Sequence, residues 1–273
     1  MALVFLKLGG SLITDKRGEA ALRADVLADV AAEIRAALVT DPSLRLIVGH
    51  GSGSFGHVAA RRWQMLDGPL SWRAYAEVAA AAARLNRHVA DALLAADVAA
   101  VTLQPSASAV AENGRIVELA LAPLQTILAA GAIPLVYGDV AVDTARSYCI
   151  ISTETIFTYL AARLAPTRII LAGQVDGVFS HDPLRDPSAL PLPRLTPAAW
   201  DSVAPTLQGA AGVDVTGGMA SKVRAMLDIV RAQPEVTVRL LSGLRANAIR
   251  DALLGQESGG TLLTADKDRT LSR

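Results

Sequence analysis

The chain has 273 residues with 26 Lys+Arg against 26 Asp+Glu, so it lacks the cationic excess of a nucleic-acid or anionic-membrane binder. Hydrophobic residues make up 52% and aromatic ones only 4%, which excludes a disordered chain and points to an aliphatic, helix-rich core. The one cysteine, Cys149, cannot close an internal disulfide, and the apolar run before Lys7 is too short for a signal peptide, so a reduced, cytoplasmic setting is expected. The most apolar stretch, residues 74–100, is interrupted by Glu77, Arg84, Arg87, Asp91 and Asp97, which argues against a membrane span.

Residues 3–8 predict a buried strand running into a Gly-Gly turn. Helical periodicity over 22–39 and a second strand over 44–48 complete a βαβ opening. A glycine-rich turn at 49–56 leads into a helix, and a long alanine-rich helix over 71–96 precedes a strand at 99–103. Further strands are expected at 132–137, 168–171 and 236–241, with helices near 123–130, 153–164, 197–207, 219–232 and 246–254. The Pro-rich stretch 182–197 reads as a surface loop. This alternation predicts an α/β fold with a mainly parallel sheet covered on both faces, preferably one continuous sheet.

All but four of the 26 cations are arginine. Three of the four lysines mark glycine-rich turns: Lys7 abuts Gly9 and Gly10, Lys16 follows nine residues later, and Lys222 follows Gly217 and Gly218. A compact ammonium suits a phosphate reached through a narrow space better than a guanidinium does.

Gly51, Gly53 and Gly56 spell a dinucleotide fingerprint after a strand, but two helices intervene before the next strand, so the Rossmann context is missing. Gly51 and Gly56 also have P-loop spacing, yet His57 stands where that motif needs lysine. What survives is a set of amides converging at a helix start, suited to an anion, with His57 beside them. His50, His88 and His181 read as ordinary core or surface histidines. With Lys7-Leu-Gly-Gly-Ser11 and Asp214-Val-Thr-Gly-Gly-Met-Ala-Ser-Lys222, the chain has three glycine-rich anion sites, enough for a nucleoside triphosphate facing a second anion.

Lys7-Leu-Gly-Gly-Ser-Leu-Ile-Thr with Lys16, His50-Gly-Ser-Gly-Ser-Phe-Gly-His57, Tyr137-Gly-Asp139, Val175-Asp-Gly-Val178 with Asp182-Pro183, and the Asp214–Lys222 run resemble isopentenyl phosphate kinases of the amino acid kinase superfamily, in order along nearly the whole chain. The resemblance implies an open αβα sandwich forming one domain over 1–273. The acceptor would lie in the half up to about residue 165 and ATP in the half from about 166. A homodimer, ATP with Mg²⁺, and a small-molecule acceptor are implied, with no nucleic acid, membrane or protein-held metal.

Carried over by motif, Lys7 and Lys222 would hold the ATP phosphates and Lys16 the transferring phosphoryl. His57 would bind the acceptor phosphate. Gly9, Gly10 and Ser11 match the phosphate turn, and Asp176, Gly177 and Gly218 the nucleotide loops. Gly51, Ser52 and Gly56 match the acceptor cradle, with Ser52 also counted among the ATP contacts. Thr153 is placed on the substrate side, in Ser152-Thr153-Glu154, where relatives commonly have Ser-Gly-Asp; Gly173-Gln174 likewise replaces Thr-Asp. The long helix offers Tyr75, Val78, Ala79, Ala82 and Ala83 as a wall for a short apolar tail. Competing expectations are a kinase for another small phosphate or phosphonate, of fosfomycin-resistance type, and a non-catalytic ligand sensor.

Overall fold

The computed structural model describes residues 2–15, 18, 20–63, 65, 71–181, 183, 186–208 and 218–266. Lys16, Asp182, Asp214, Thr216, Gly217 and Lys267 lie outside these residues. Eight strands form the main sheet, in the spatial order Arg194–Leu195, Thr261–Leu263, Thr237–Ser242, Arg168–Gly173, Leu3–Leu8, Arg45–His50, Ile133–Tyr137, Ala100–Thr102. Every neighbouring pair is parallel except Thr237–Ser242 with Thr261–Leu263.

Alternation along the strands sorts the core into two layers. Val4, Leu6 and Leu8 share one face with Leu46, Val48, Leu135 and Ile170, and pack on helices Ala24–Thr40, Trp72–Ala95 and Ala248–Leu253. Phe5, Ile47, Val136 and Ile169 share the other with helices Leu121–Ala129, Thr153–Leu164, Pro197–Gln208 and Gly218–Ala232. A period of two on a sheet covered on both sides gives the three-layer αβα sandwich. Phe5 and Phe157 join strand to helix with ring centroids 5.1 Å apart. Among the described residues no helix is long and apolar enough to cross a membrane.

The single continuous sheet expected above is corrected in one respect. A separate four-stranded sheet runs Ser147–Ile151, Asp139–Asp143, Ala109–Glu112, Arg115–Leu119. Its Val140 and Ile150 pack on Ala60, Val78 and Ala79, so it walls one side of the crevice at the carboxyl ends of the main strands.

The first strand lies between Arg45–His50, which follows it in sequence, and Arg168–Gly173 of the second half. Strand order thus reverses across it, and the crevice beyond that point is where open α/β sheets bind ligands.

Candidate active site

A cavity of about 420 Å³ occupies that crevice. The first half contributes Lys7, Gly9, Gly10, Ser11, Gly51, Ser52, Gly56, His57 and Arg61; the second half contributes Gly173, Gln174, Gly177, Met219 and Lys222. Thr153 and Glu154 lie at its floor, at the start of helix Thr153–Leu164. Segments far apart in sequence, the glycine turns at 9–10 and 51–56, the stretch with Gly173 and Gly177, and the helix that carries Lys222, therefore meet in one space.

The first two turns fit because they are glycine. A Cβ on Gly10 would sit 2.5 Å from the Gly53 nitrogen, and one on Gly51 would sit 2.9 Å from the Gly10 nitrogen. Side chains at either place would push the turns apart. Gly53 also has φ +52°, and the Ser54 amide above it donates to Thr14 Oγ1 at 3.0 Å. Ser54 is buried against the cavity and its Oγ has no partner among the described residues, a polar atom left for a ligand. It was not singled out from sequence, although its place in Gly51-Ser-Gly-Ser-Phe-Gly56 was the available signal.

His57 is not at the helix start. The helix is Gly53–Arg62, so His57 lies a full turn in, where the helix field has largely decayed, and its role rests on facing the cavity. Arg61, four residues on, lines the same cavity and was missed; the i,i+4 spacing was its signal. Lys222 is likewise one turn into helix Gly218–Ala232.

Lys7 is 6% exposed and ion-pairs with Glu154, itself 5% exposed. Burial alone would raise the Glu154 carboxyl, but Lys7, with a further contribution from Lys222, outweighs it and holds the group below the ordinary carboxylate range. The Ser152 side chain caps this helix, accepting from the Thr155 amide at 3.1 Å. Thr153 Oγ1 donates to the His50 carbonyl at 2.6 Å, tying the helix start to the end of strand Arg45–His50. The Ser-Thr-Glu departure is thus accommodated: its threonine bonds the neighbouring strand and its glutamate pairs with Lys7.

Asp176 does not line the cavity; it accepts from the Ser242 amide at 2.9 Å and lies 3.6 Å from Arg245, beside cavity-lining Gly177. Gly218 precedes cavity-lining Met219. At the apolar end, Val78, Ala82, Ala60 and Ile150 line the space, whereas Tyr75 and Ala79 do not. Ala79 packs with Ala60 and Val140, and Tyr75 donates to the Ser106 carbonyl at 3.0 Å and meets Trp72 edge-on and Tyr148 at a tilt. Asp139 borders this end; burial raises its carboxyl, partly offset by bonds from Ser106.

A family model for the amino acid kinase family matches residues 2–240. The chain belongs to the amino acid kinase family. It is 36% identical over 272 residues to the isopentenyl phosphate kinase of Methanothermobacter thermautotrophicus, covering 96% of this chain and 99% of that one. It is 31% identical to the isopentenyl phosphate kinase of Methanocaldococcus jannaschii, covering 94% and 97%. A solved isopentenyl phosphate kinase matches with a TM-score of 0.81 at 32% identity, covering 95% of this chain and 99% of that one. The likeness to these family members runs the length of the chain, so the cavity sits in the part that is shared.

Proposed function

We propose that the protein transfers the γ-phosphoryl group of ATP to isopentenyl phosphate, giving isopentenyl diphosphate and ADP. The observation that carries this reading is one cavity lined by two glycine cradles, by the cations Lys7, Lys222, His57 and Arg61, and by the apolar side chains of Val78, Ala82 and Ile150. Relatives named for this activity match over nearly their full length.

The acceptor is a phosphate monoester with a second pKa of about 6, so its attacking oxygen is largely deprotonated at neutral pH and no general base is required. Catalysis then consists of bringing two anions into line and stabilising the charge between them. An acceptor oxygen forms the new bond to the γ-phosphorus as the bond to the ADP oxygen breaks. Lys7 and Lys222, with Lys16, serve the triphosphate and the transferring group. Glu154 keeps the Lys7 ammonium in place. His57 with the amides around Gly51, Ser52 and Gly56 holds the acceptor phosphate, and Thr153 fixes that cradle against the helix start. Gly9, Gly10, Ser11, Gly177 and Gly218 form the nucleotide side, with Asp176 behind Gly177.

In this reading Mg²⁺ enters on the ATP phosphates, the usual way for this ion, which keeps most of its waters and takes few protein ligands. We further infer a single domain with an acceptor half and an ATP half, working in the cytoplasm as a homodimer. The edge strand Ala100–Thr102, with one strand neighbour among the described residues and Val101 exposed, supports association of two copies.

An acceptor panel tests the reading. Isopentenyl and dimethylallyl phosphates should outrun fosfomycin and geranyl phosphate in kcat/KM at fixed ATP; a phosphonate as the best acceptor would replace it.

A further inference from the structure

His50 lies beside the cradle and does not line the cavity. It is fully buried, stacks on Tyr137 with centroids 5.4 Å apart and planes 9° from parallel, and makes bonds with both ring nitrogens. Nδ1 is 3.0 Å from the Gly51 carbonyl oxygen, and Nε2 is 3.0 Å from Nδ2 of Asn86, another buried polar residue. Asn86 Oδ1 in turn accepts from Thr102 Oγ1 at 2.9 Å.

The hydrogens in this row are fixed by elimination. A carbonyl oxygen only accepts, so Nδ1 must carry the imidazole proton; Nε2 is then a bare acceptor and takes an amide hydrogen of Asn86. That turns Oδ1 of Asn86 toward the Thr102 hydroxyl. Turning the amide over would set Oδ1 against the bare Nε2, and moving the proton to Nε2 to suit it would leave two acceptors facing each other at Gly51. Burial, together with the nearby Lys7, pushes the imidazole down to about 4 despite the Gly51 bond, in keeping with a neutral ring.

The carbonyl held by His50 belongs to the same peptide unit as the Ser52 N–H. In a trans peptide these point in opposite directions. Gly51 and Ser52 both line the cavity, and the Ser52 amide takes no partner among the described residues. The His50 carbonyl on the other side is held by Thr153 Oγ1 and by the Gly138 amide at 2.9 Å.

We propose that His50, oriented by Asn86 and Thr102, is a positioning residue that locks the Gly51–Ser52 peptide so that the Ser52 amide faces the acceptor phosphate. The inference rests on the reading of the cavity as an acceptor-phosphate site. His50 itself touches no substrate.

The full chain carries the test. Nitrogen-15 spectra of the wild type should show the His50 proton on Nδ1 across roughly pH 6 to 9, and a proton on Nε2 would overturn the proposal. In His50→Phe, which keeps a stacked ring but no donor, the acceptor KM should rise about tenfold while the ATP KM stays within about twofold. His50→Asn puts an amide N–H near the Nδ1 position and should recover most of that loss despite its larger void. An unchanged acceptor KM in folded His50→Phe, a parallel rise in both KM values, or no recovery in His50→Asn would each contradict the proposal. If His50→Phe does not fold, Asn86→Leu takes its place, with the same split at about threefold. Should the wild type fail to phosphorylate isopentenyl phosphate, the functional reading falls; the positioning role is then read from inorganic phosphate, whose dissociation constant should still weaken about tenfold in His50→Phe, and an unchanged constant would sink it.

Discussion

Lys7 and Glu154 form a buried ion pair across 147 residues of sequence, joining the end of the first strand to the first turn of helix Thr153–Leu164. Both side chains are nearly excluded from water, so each depends on the other, and removing one deprives the remaining buried charge of its ion-pair partner. The pair also fixes where the Lys7 ammonium stands in the cavity. It therefore belongs to the fold and to the chemistry at once.

Glu154→Gln should lower kcat at least tenfold and destabilise the protein by about 3–5 kcal/mol, whereas Glu154→Asp, which keeps the charge with one methylene less, should lose less of both. The pH dependence has a definite sign. The folded carboxyl sits below its ordinary value of 4.5, so the unfolded chain binds more protons between the two values. The stability from the pair is complete above about 4.5 and is lost as pH falls through the lower folded value. Thermal melts from roughly pH 7 to 3 should show a steeper acid loss in the wild type than in Glu154→Gln; parallel curves would remove the pair from that role.

Lys222→Met should lower kcat by about 10²–10³ with little change in melting temperature, because the side chain is half-buried at the cavity and its charge is aimed at the phosphates. Lys16→Met should do the same. Steady-state kinetics beside a melting curve separates this from unfolding, and near-wild-type kcat in either variant would reassign that lysine.

His57→Ala should raise the acceptor KM with little change in the ATP KM, and His57→Gln, which retains a donor, should lose less. Two-substrate kinetics reads the difference. Equal increases in both KM values would move His57 off the acceptor side.

Much of this site was legible because its chemistry restricts residue type. A chain that uses arginine almost everywhere keeps lysine at 7 and 222, the glycines at 10 and 51 are imposed by backbone packed on backbone, and Gly53 by its positive φ and the Thr14 side chain beside it. The partner of Lys7 was not legible: Glu154 stood out only as a departure from Ser-Gly-Asp, and nothing local says that a strand and a helix so far apart will meet. The four-stranded sheet was missed because Ala109–Glu112 and Arg115–Leu119 are short, carry Glu112, Arg115 and Glu118, and lack a long apolar run. The long helix was found, but periodicity gives a stripe without saying which edge of it faces the ligand. Val78 and Ala82 line the cavity, while Tyr75 and Ala79 turn toward the second sheet and the Ser106 carbonyl.

That rotation decides the tail prediction. Ala82→Leu adds volume directly to the apolar end and should raise the isopentenyl phosphate KM about tenfold, a typical overpacking effect of 1–3 kcal/mol. Val78→Ala should raise geranyl phosphate activity relative to isopentenyl phosphate. Tyr75→Ala should shift the same ratio less, since its ring lies behind the lining. A larger shift from Tyr75→Ala than from Val78→Ala would place the tail on the other side of the helix.

The central claim is tested most directly by following ATP and isopentenyl phosphate with the purified full chain by phosphorus-31 NMR. The account predicts that the acceptor monophosphate signal is replaced by two coupled diphosphate signals, with one ADP formed for each isopentenyl diphosphate. ADP and inorganic phosphate appearing while isopentenyl phosphate is left unchanged would contradict it.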